Sequence, residues 1–338
     1  MVEVTDERVE RALRAVPESH YRGADGRAVR QRTDTATIAR HLRLLDPHPG
    51  QRVLEVGTGS GLSTALLAET VGPRGHVVSI DLEETLVERA ARLHVAAGYT
   101  NVTSLARDGR HGAAEYGPFD RIVAWATPEE LPGEWLCQAV EGARVLLPLP
   151  LAPVAYATGM LRATVGSGAR PRTVHLHRGA YGRMHTPWHV PVESGSSNAQ
   201  EEGDYVSATW LRGRPSAAEH LLRSLRAAEH TVPSDIAWPQ SDHLRLWLLA
   251  RRPQGLVSTG RGTEIGYGVA RGSRIAVHTC GPEGGGFRAD ASGSPALRRL
   301  RALVAEWDRC GRPTAEELTA ALRPTATGWR AHVRLSHR

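Results

Sequence analysis

The residues best placed for chemistry lie in Val53-Leu-Glu-Val-Gly-Thr-Gly-Ser-Gly61. Gly57, Gly59 and Gly61 stand between a β-branched run and the apolar stretch LSTALLAET, where a strand would turn into a helix. Without a Cβ, they permit a sharp turn and let a flat ligand approach the backbone. The spacing is GxGxG rather than GxGxxG, and alone it fits a plain tight turn equally well. Two aspartates add weight. Asp81 closes the next strand-like run, 24 residues after Gly57, where a carboxylate can accept both hydroxyls of a ribose. Asp108-Gly109 follows the third run, where it can accept from an adenine amino group. Each aspartate by itself could be a loop cap. Ligand-competent groups at the carboxyl ends of three successive strands together point to an adenosyl ligand.

Composition excludes other chemistries. The chain has 338 residues, and all 42 of its basic Lys/Arg positions are arginine. Schiff-base, pyridoxal-phosphate and Walker-type chemistry each need a lysine. Cys137, Cys280 and Cys310 form no CxxC pair, and the histidines show no HExxH, so no metal is expected. His175 and His177 alternate along an apparent strand and read as one solvated face. A net charge of +6 favours acidic partners but does not indicate nucleic acid. No apolar run is long enough for a membrane span and the amino terminus lacks a signal-like apolar region, so a cytoplasmic location is expected.

The elements that must hold these residues read clearly in the first half. Helices are expected over 5–16 and around Ile38, Leu42 and Leu45. The runs RVLEV, HVVSI, NVTSL, RIVAW and ARVLLPL then alternate with helical stretches, which specifies an α/β fold with a mostly parallel sheet and helices on both faces. PVAYATGML and RTVHLHRGA could add an antiparallel edge. The polar stretch 192–204 reads as a linker between a first domain (1–191) and a C-terminal α+β domain (205–338). In that second domain a helix is expected at Ala217–Glu229, a strand at Leu244–Leu249, and a helix from Ser294 carrying Leu300, Val304 and Trp307. Two separate cores would let a chain cut near Gly203 keep its cofactor site.

The arrangement resembles class I S-adenosylmethionine-dependent methyltransferases with a Rossmann-like sheet, and within them the protein-L-isoaspartate O-methyltransferase family. The resemblance covers roughly residues 8–185. It rests on VLEVGTGSG, Gly75-His-Val-Val-Ser-Ile-Asp81, Ala97-Gly-Tyr-Thr-Asn-Val102, Asp108-Gly109, Pro118-Phe-Asp-Arg-Ile122 and Leu146-Leu-Pro-Leu149. It implies S-adenosylmethionine as cofactor. Gly57, Thr58, Gly59 and Gly61 would wrap its methionine portion, and Glu55 would fix the loop or reach the amino group. Asp81 would hold the ribose and Asp108 with Gly109 the adenine, with Leu82 and Trp125 as further cofactor-binding residues. The family's Ser-x-Pro before the second helix aligns with Thr33 and Thr35, so Thr33 keeps a hydroxyl but the Pro is missing. Thr33 serves either to orient the substrate or to cap the helix.

Two departures bear on the substrate. The chain continues for over 130 residues past the linker, and Trp125-Ala-Thr-Pro-Glu-Glu-Leu-Pro-Gly-Glu-Trp135 resembles longer homologues encoded beside lanthipeptides, graspetides and lasso peptides. That likeness implies methylation of an aspartate in a modified, acidic, macrocyclic precursor peptide, leading to aspartimide and then isoaspartate. The alternatives are repair of isoaspartyl residues in aged proteins and a non-catalytic peptide-binding subunit. In-line methyl transfer to an ionised carboxylate needs alignment rather than a strong base, with Thr33 and Thr127 as candidate orienting hydroxyls. Arg212, Arg214, Arg251 and Arg252 are candidates for peptide recognition.

Overall fold

Val53–Val56 are all buried, as expected of a strand covered on both faces, and this strand lies at the centre of the first sheet. The structure is a computed structural model describing residues 7–22, 33–184, 199–201, 204–227, 230–236, 238–261, 264–280 and 285–336. The first half runs α1 (Glu7–Ala15), α2 (Thr35–Leu45), β1 (Arg52–Val56), α3 (Leu62–Val71), β2 (His76–Asp81), α4 (Glu84–Ala96), β3 (Val102–Ala106), β4 (Phe119–Ala124), β5 (Leu131–Pro132), α5 (Gly133–Cys137), β6 (Ala139–Pro150), β7 (Thr158–Gly166) and β8 (Arg170–His177). Seven strands order as β3-β2-β1-β4-β6-β7-β8, the first five parallel and the last two antiparallel. This is the Rossmann-like α/β sheet, with the antiparallel edge in place. The order reverses next to β1, which opens a crevice at the strands' carboxyl ends.

The second half runs β9 (Ala199–Glu201), β10 (Asp204–Ser207), α6 (Pro215–Arg226), β11 (His230–Pro233), α7 (Gln240–Arg251), β12 (Leu256–Arg261), β13 (Glu264–Arg271), β14 (Arg274–Cys280), β15 (Gly286–Ala289), α8 (Pro295–Arg309), β16 (Thr319–Pro324) and β17 (Gly328–Arg334). Its antiparallel sheet orders as β11-β15-β14-β13-β12-β10-β9. Residues 244–249, expected as a strand, lie within α7. That helix is buried all round, including Leu244, Leu246, Trp247, Leu248 and Leu249, and burial on every side removes the polar stripe that would reveal a helical period.

The boundary at 192–204 also needs revision. Residues 192–198 and 202–203 lie outside the described residues, but 199–201 and 204 already belong to paired strands of the second sheet. More importantly, the two halves share a core. Leu151, Leu161 and Leu176 cluster with Leu246, Trp247, Tyr267, Leu300 and Trp307. β17 pairs with β5 through Gly328↔Pro132 and Trp329↔Leu131, so the carboxyl-terminal hairpin completes a three-stranded sheet with the first half. Tyr267 Oη donates to the Tyr156 carbonyl at 2.7 Å. A cut near residue 203 would therefore expose a common core instead of separating two.

Candidate active site

The glycine loop joins β1 to α3, and its conformation requires glycine. Gly57, Gly59 and Gly61 have φ of +104°, +50° and +88°. A Cβ on Gly61 would sit 3.0 Å from the Ala90 Cβ and 3.1 Å from His94 Nε2. That imidazole donates to the Gly61 carbonyl at 2.9 Å, which ties the loop to α4. The Thr58 and Ser79 hydroxyls lie 2.7 Å apart beneath it.

Glu55 is fully buried and braces the loop from below. Its carboxylate accepts from Ser63 Oγ (2.5 Å), Ser79 Oγ (2.7 Å), Trp125 Nε1 (2.7 Å) and the Thr64 hydroxyl. Burial raises the pKa of this carboxyl, and the four donors offset only part of that rise. With its lone pairs occupied, Glu55 fixes the loop and the Trp125 ring; reaching a ligand amino group would require breaking these bonds. Trp125 follows β4, and its Cβ would be 3.4 Å from a Cβ on Gly57.

Asp81 ends β2 facing the crevice. Its two oxygens accept from the Gly59 and Glu83 amides at 3.0 and 3.1 Å. A carboxylate has about four acceptor positions, which leaves one on each oxygen for a vicinal diol. Leu82 beside it is 37% exposed, an apolar surface at the crevice rim. Asp108 caps a short 3₁₀ turn by accepting from the Arg110 amide at 3.0 Å, and the Arg110 guanidinium grips it as well. That guanidinium holds the Asp108 carboxyl below its usual range. Gly109 is needed for packing, because a Cβ there would lie 2.4 Å from Val56 Cγ1.

A second wall comes from a strap, residues 178–184. Thr127 binds it on three sides. Thr127 N donates to Gly182 O, Met184 N donates to Thr127 O, and Thr127 Oγ1 donates to Tyr181 O, each at 2.8 Å. The Thr127 hydroxyl proton is therefore held by Tyr181, so this geometry makes Thr127 a tether and leaves no donor for a carboxylate. Tyr181, His41 and Trp125 form a triangle of rings, with centroids 5.6 Å (Tyr181–His41), 5.9 Å (Tyr181–Trp125) and 6.1 Å (His41–Trp125) apart. His41 Nε2 lies 3.3 Å from the Arg178 carbonyl, which can only accept, so Nε2 carries the proton. Burial, followed by the nearby Arg40 charge, lowers the His41 pKa to about 3, so the ring is neutral and Nδ1 accepts from Tyr181 Oη at 2.7 Å. Asp34, not Thr33, caps α2 by accepting from Thr37 N at 2.8 Å.

The strap is also gripped from the second half. Arg245 on α7, 3% exposed, donates to the Gly179 carbonyl (3.4 Å), the Thr158 carbonyl and Asp242 (2.6 Å). His177 is mostly buried and lies 3.1 Å from Glu316 Oε1, so it leaves the solvated face expected for the His175 pair. His41, Tyr181 and Arg245 were missed by sequence reasoning. The available signal was a histidine interrupting the apolar stripe of α2. Among the described residues, no group of three or more His, Cys, Asp or Glu could hold a metal ion, and no helix is long and apolar enough to cross a membrane.

The crevice fits an adenosyl ligand by its own geometry: a loop whose three glycines all take positive φ, and a carboxylate with acceptor capacity left over at the end of β2. The family described as protein-L-isoaspartate(D-aspartate) O-methyltransferase matches residues 4–160, which hold the loop, Asp81, Asp108 and Trp125. The protein-L-isoaspartate O-methyltransferase of Methanothermobacter thermautotrophicus is 36% identical over 112 residues, 33% of this chain and 52% of the relative. That of Ignicoccus hospitalis is 42% identical over 104 residues, 31% of this chain and 49% of the relative. The chain thus spans about half the length of these curated relatives. A solved protein-L-isoaspartate O-methyltransferase overlays 98% of this chain and 96% of its own at a TM-score of 0.49 and 17% identity. The relative from Pyrobaculum islandicum is 30% identical over 159 residues, 43% of this chain and 77% of its own length, and with that match the chain belongs to the protein-L-isoaspartate O-methyltransferase family.

Proposed function

We propose that this chain is an S-adenosylmethionine-dependent carboxyl O-methyltransferase acting on the free carboxylate of isoaspartyl residues in peptides or proteins. The observation that carries the reading is the family match over the segment that builds the crevice. The cofactor supplies, when bound, a methyl group on a sulfonium. Asp81 would accept the ribose hydroxyls, the glycine loop would take the methionine portion, and Asp108 with Gly109 would face the adenine. Asp108 would turn from Arg110 or share its outer lone pairs to do so. The acceptor is already ionised at neutral pH, so no side chain needs to remove a proton. The task left to the protein is alignment in a dry site, to which Trp125, Tyr181 and the buried His41 contribute.

This choice of substrate departs from the precursor-peptide expectation. The relatives reported above are named for isoaspartate, and none for a macrocyclic precursor. One observation keeps precursor tailoring as a second reading: the additional half holds the strap that walls the site, which would suit recognition of a larger or constrained peptide. The test is a panel of a linear isoaspartyl peptide, its aspartyl isomer and an acidic macrocyclic peptide, each followed by mass spectrometry with S-adenosylmethionine. Isoaspartate methylation well above the other two is expected. Methylation confined to the macrocycle would transfer the reading to precursor tailoring, and binding of cofactor without turnover on any peptide would reduce the protein to a binding subunit.

A further inference from the structure

A carboxylate brought to the wall formed by Trp125 and Tyr181 needs hydrogen-bond donors, and the hydroxyls there are engaged. Thr127 donates to the Tyr181 carbonyl and Tyr181 to His41. Arg183 on the strap is paired with Glu129. Arg40 is different. It lies on α2 one residue before His41, half-buried, and its Nε is shielded from solvent with no hydrogen-bond partner. Among the described residues no carboxylate forms an ion pair with its guanidinium. A guanidinium has five donors in a fixed fork and no way to lose its charge, so a buried unused N–H is a costly feature to keep. Its surroundings are those of the acceptor wall. Arg40 is within Coulombic reach of the Tyr181 phenol and of a second guanidinium, Arg178, whose carbonyl is the one held by His41. The carboxylate in its reach, Asp34, already caps α2.

We propose that Arg40 binds the carboxylate of the acceptor peptide and thereby makes the site selective for an acid; this rests on the carboxyl methyltransferase reading. Methyl transfer turns an anionic carboxylate into a neutral ester, so attraction to a fixed cation weakens as the reaction proceeds. Such a cation strengthens substrate binding more than it speeds the chemical step, and its removal belongs in KM rather than kcat. A charge-assisted contact of this kind corresponds to roughly ten- to a hundredfold in affinity.

The test compares wild type, Arg40→Gln and Arg40→Lys in the full chain. With an isoaspartyl hexapeptide, Arg40→Gln is expected to raise KM by roughly ten- to a hundredfold with kcat within about threefold, and Arg40→Lys to recover part of the loss. Thermal midpoints should not fall, because Arg40 Nε has no protein partner to lose; a sharp fall would mark a structural arginine and overturn the assignment. A second arm needs no turnover. Calorimetry on protein saturated with S-adenosylhomocysteine should show the hexapeptide acid binding more tightly than its methyl ester, and Arg40→Gln should abolish that preference. Equal or absent binding of acid and ester by wild type would overturn the proposal. Acid preference dependent on Arg40, without methylation of any peptide, would leave it standing and remove the methyltransferase reading instead.

Discussion

Arg245 offers a direct test of the claim that the second half builds the site. In Arg245→Met three acceptors lose their donor: the buried Asp242 carboxylate and the carbonyls of Thr158 and Gly179. Leaving a buried charge unpaired costs about 3–5 kcal/mol, and most of this comes from Asp242. Replacing both charges by apolar side chains removes that part, so Asp242→Leu/Arg245→Met should recover all but the two carbonyls, about 1–2 kcal/mol in total. Urea unfolding followed by tryptophan fluorescence gives both values, because Trp247 and Trp307 lie in the shared core. The double variant should regain stability yet keep a raised KM for peptide, since Gly179 and the strap stay unanchored. A loss under about 1 kcal/mol in Arg245→Met, or a double variant as unstable as the single, would refute the reasoning.

Three further outcomes follow from the site. Asp81→Ala should weaken S-adenosylmethionine binding by on the order of 1.5–3 kcal/mol for each ribose hydrogen bond lost, and unchanged affinity in calorimetry would remove the ribose assignment. His41 and His278, depressed by burial to about 3 and about 4, stay neutral in the fold while the unfolded chain takes up protons below its histidine range. Their stabilising contribution is full above about pH 6.5 and declines as pH falls toward those folded values, by up to about 1.4 kcal/mol per pH unit for each. His41→Leu should flatten that slope in an acid denaturation series, and an unchanged slope would count against a neutral buried ring. Glu55→Gln keeps one acceptor oxygen and should fold with a modest loss, whereas Glu55→Leu orphans Trp125 Nε1 and should cost on the order of 3–5 kcal/mol, read as a shift in the urea midpoint.

The first sheet and its crevice were legible because their signals are local. β-branched runs, glycines forced to positive φ and aspartates at strand ends all lie within a few residues of the feature they specify. The second wall was not legible, since His41 and Tyr181 are 140 residues apart and meet only through the fold. The tethering role of Thr127 was hidden for a related reason: the sequence identifies a hydroxyl, but its proton goes to the Tyr181 carbonyl on the distant strap. α7 read as a strand because burial on all sides erased its period. The polar stretch at 192–204 suggested a division that the packing of Leu246 and Trp307 against the first half does not respect.

The central claim is carboxyl methylation of isoaspartate at the crevice between the glycine loop and the Tyr181 strap. Its most direct measurement uses methyl-labelled S-adenosylmethionine with a peptide carrying one isoaspartyl residue, followed by mild base. The account predicts label on the peptide that is released as methanol by base, absent with the aspartyl isomer and lost in Asp81→Ala. No labelling of the isoaspartyl peptide, or label that survives base and so resides on nitrogen or carbon, would contradict it.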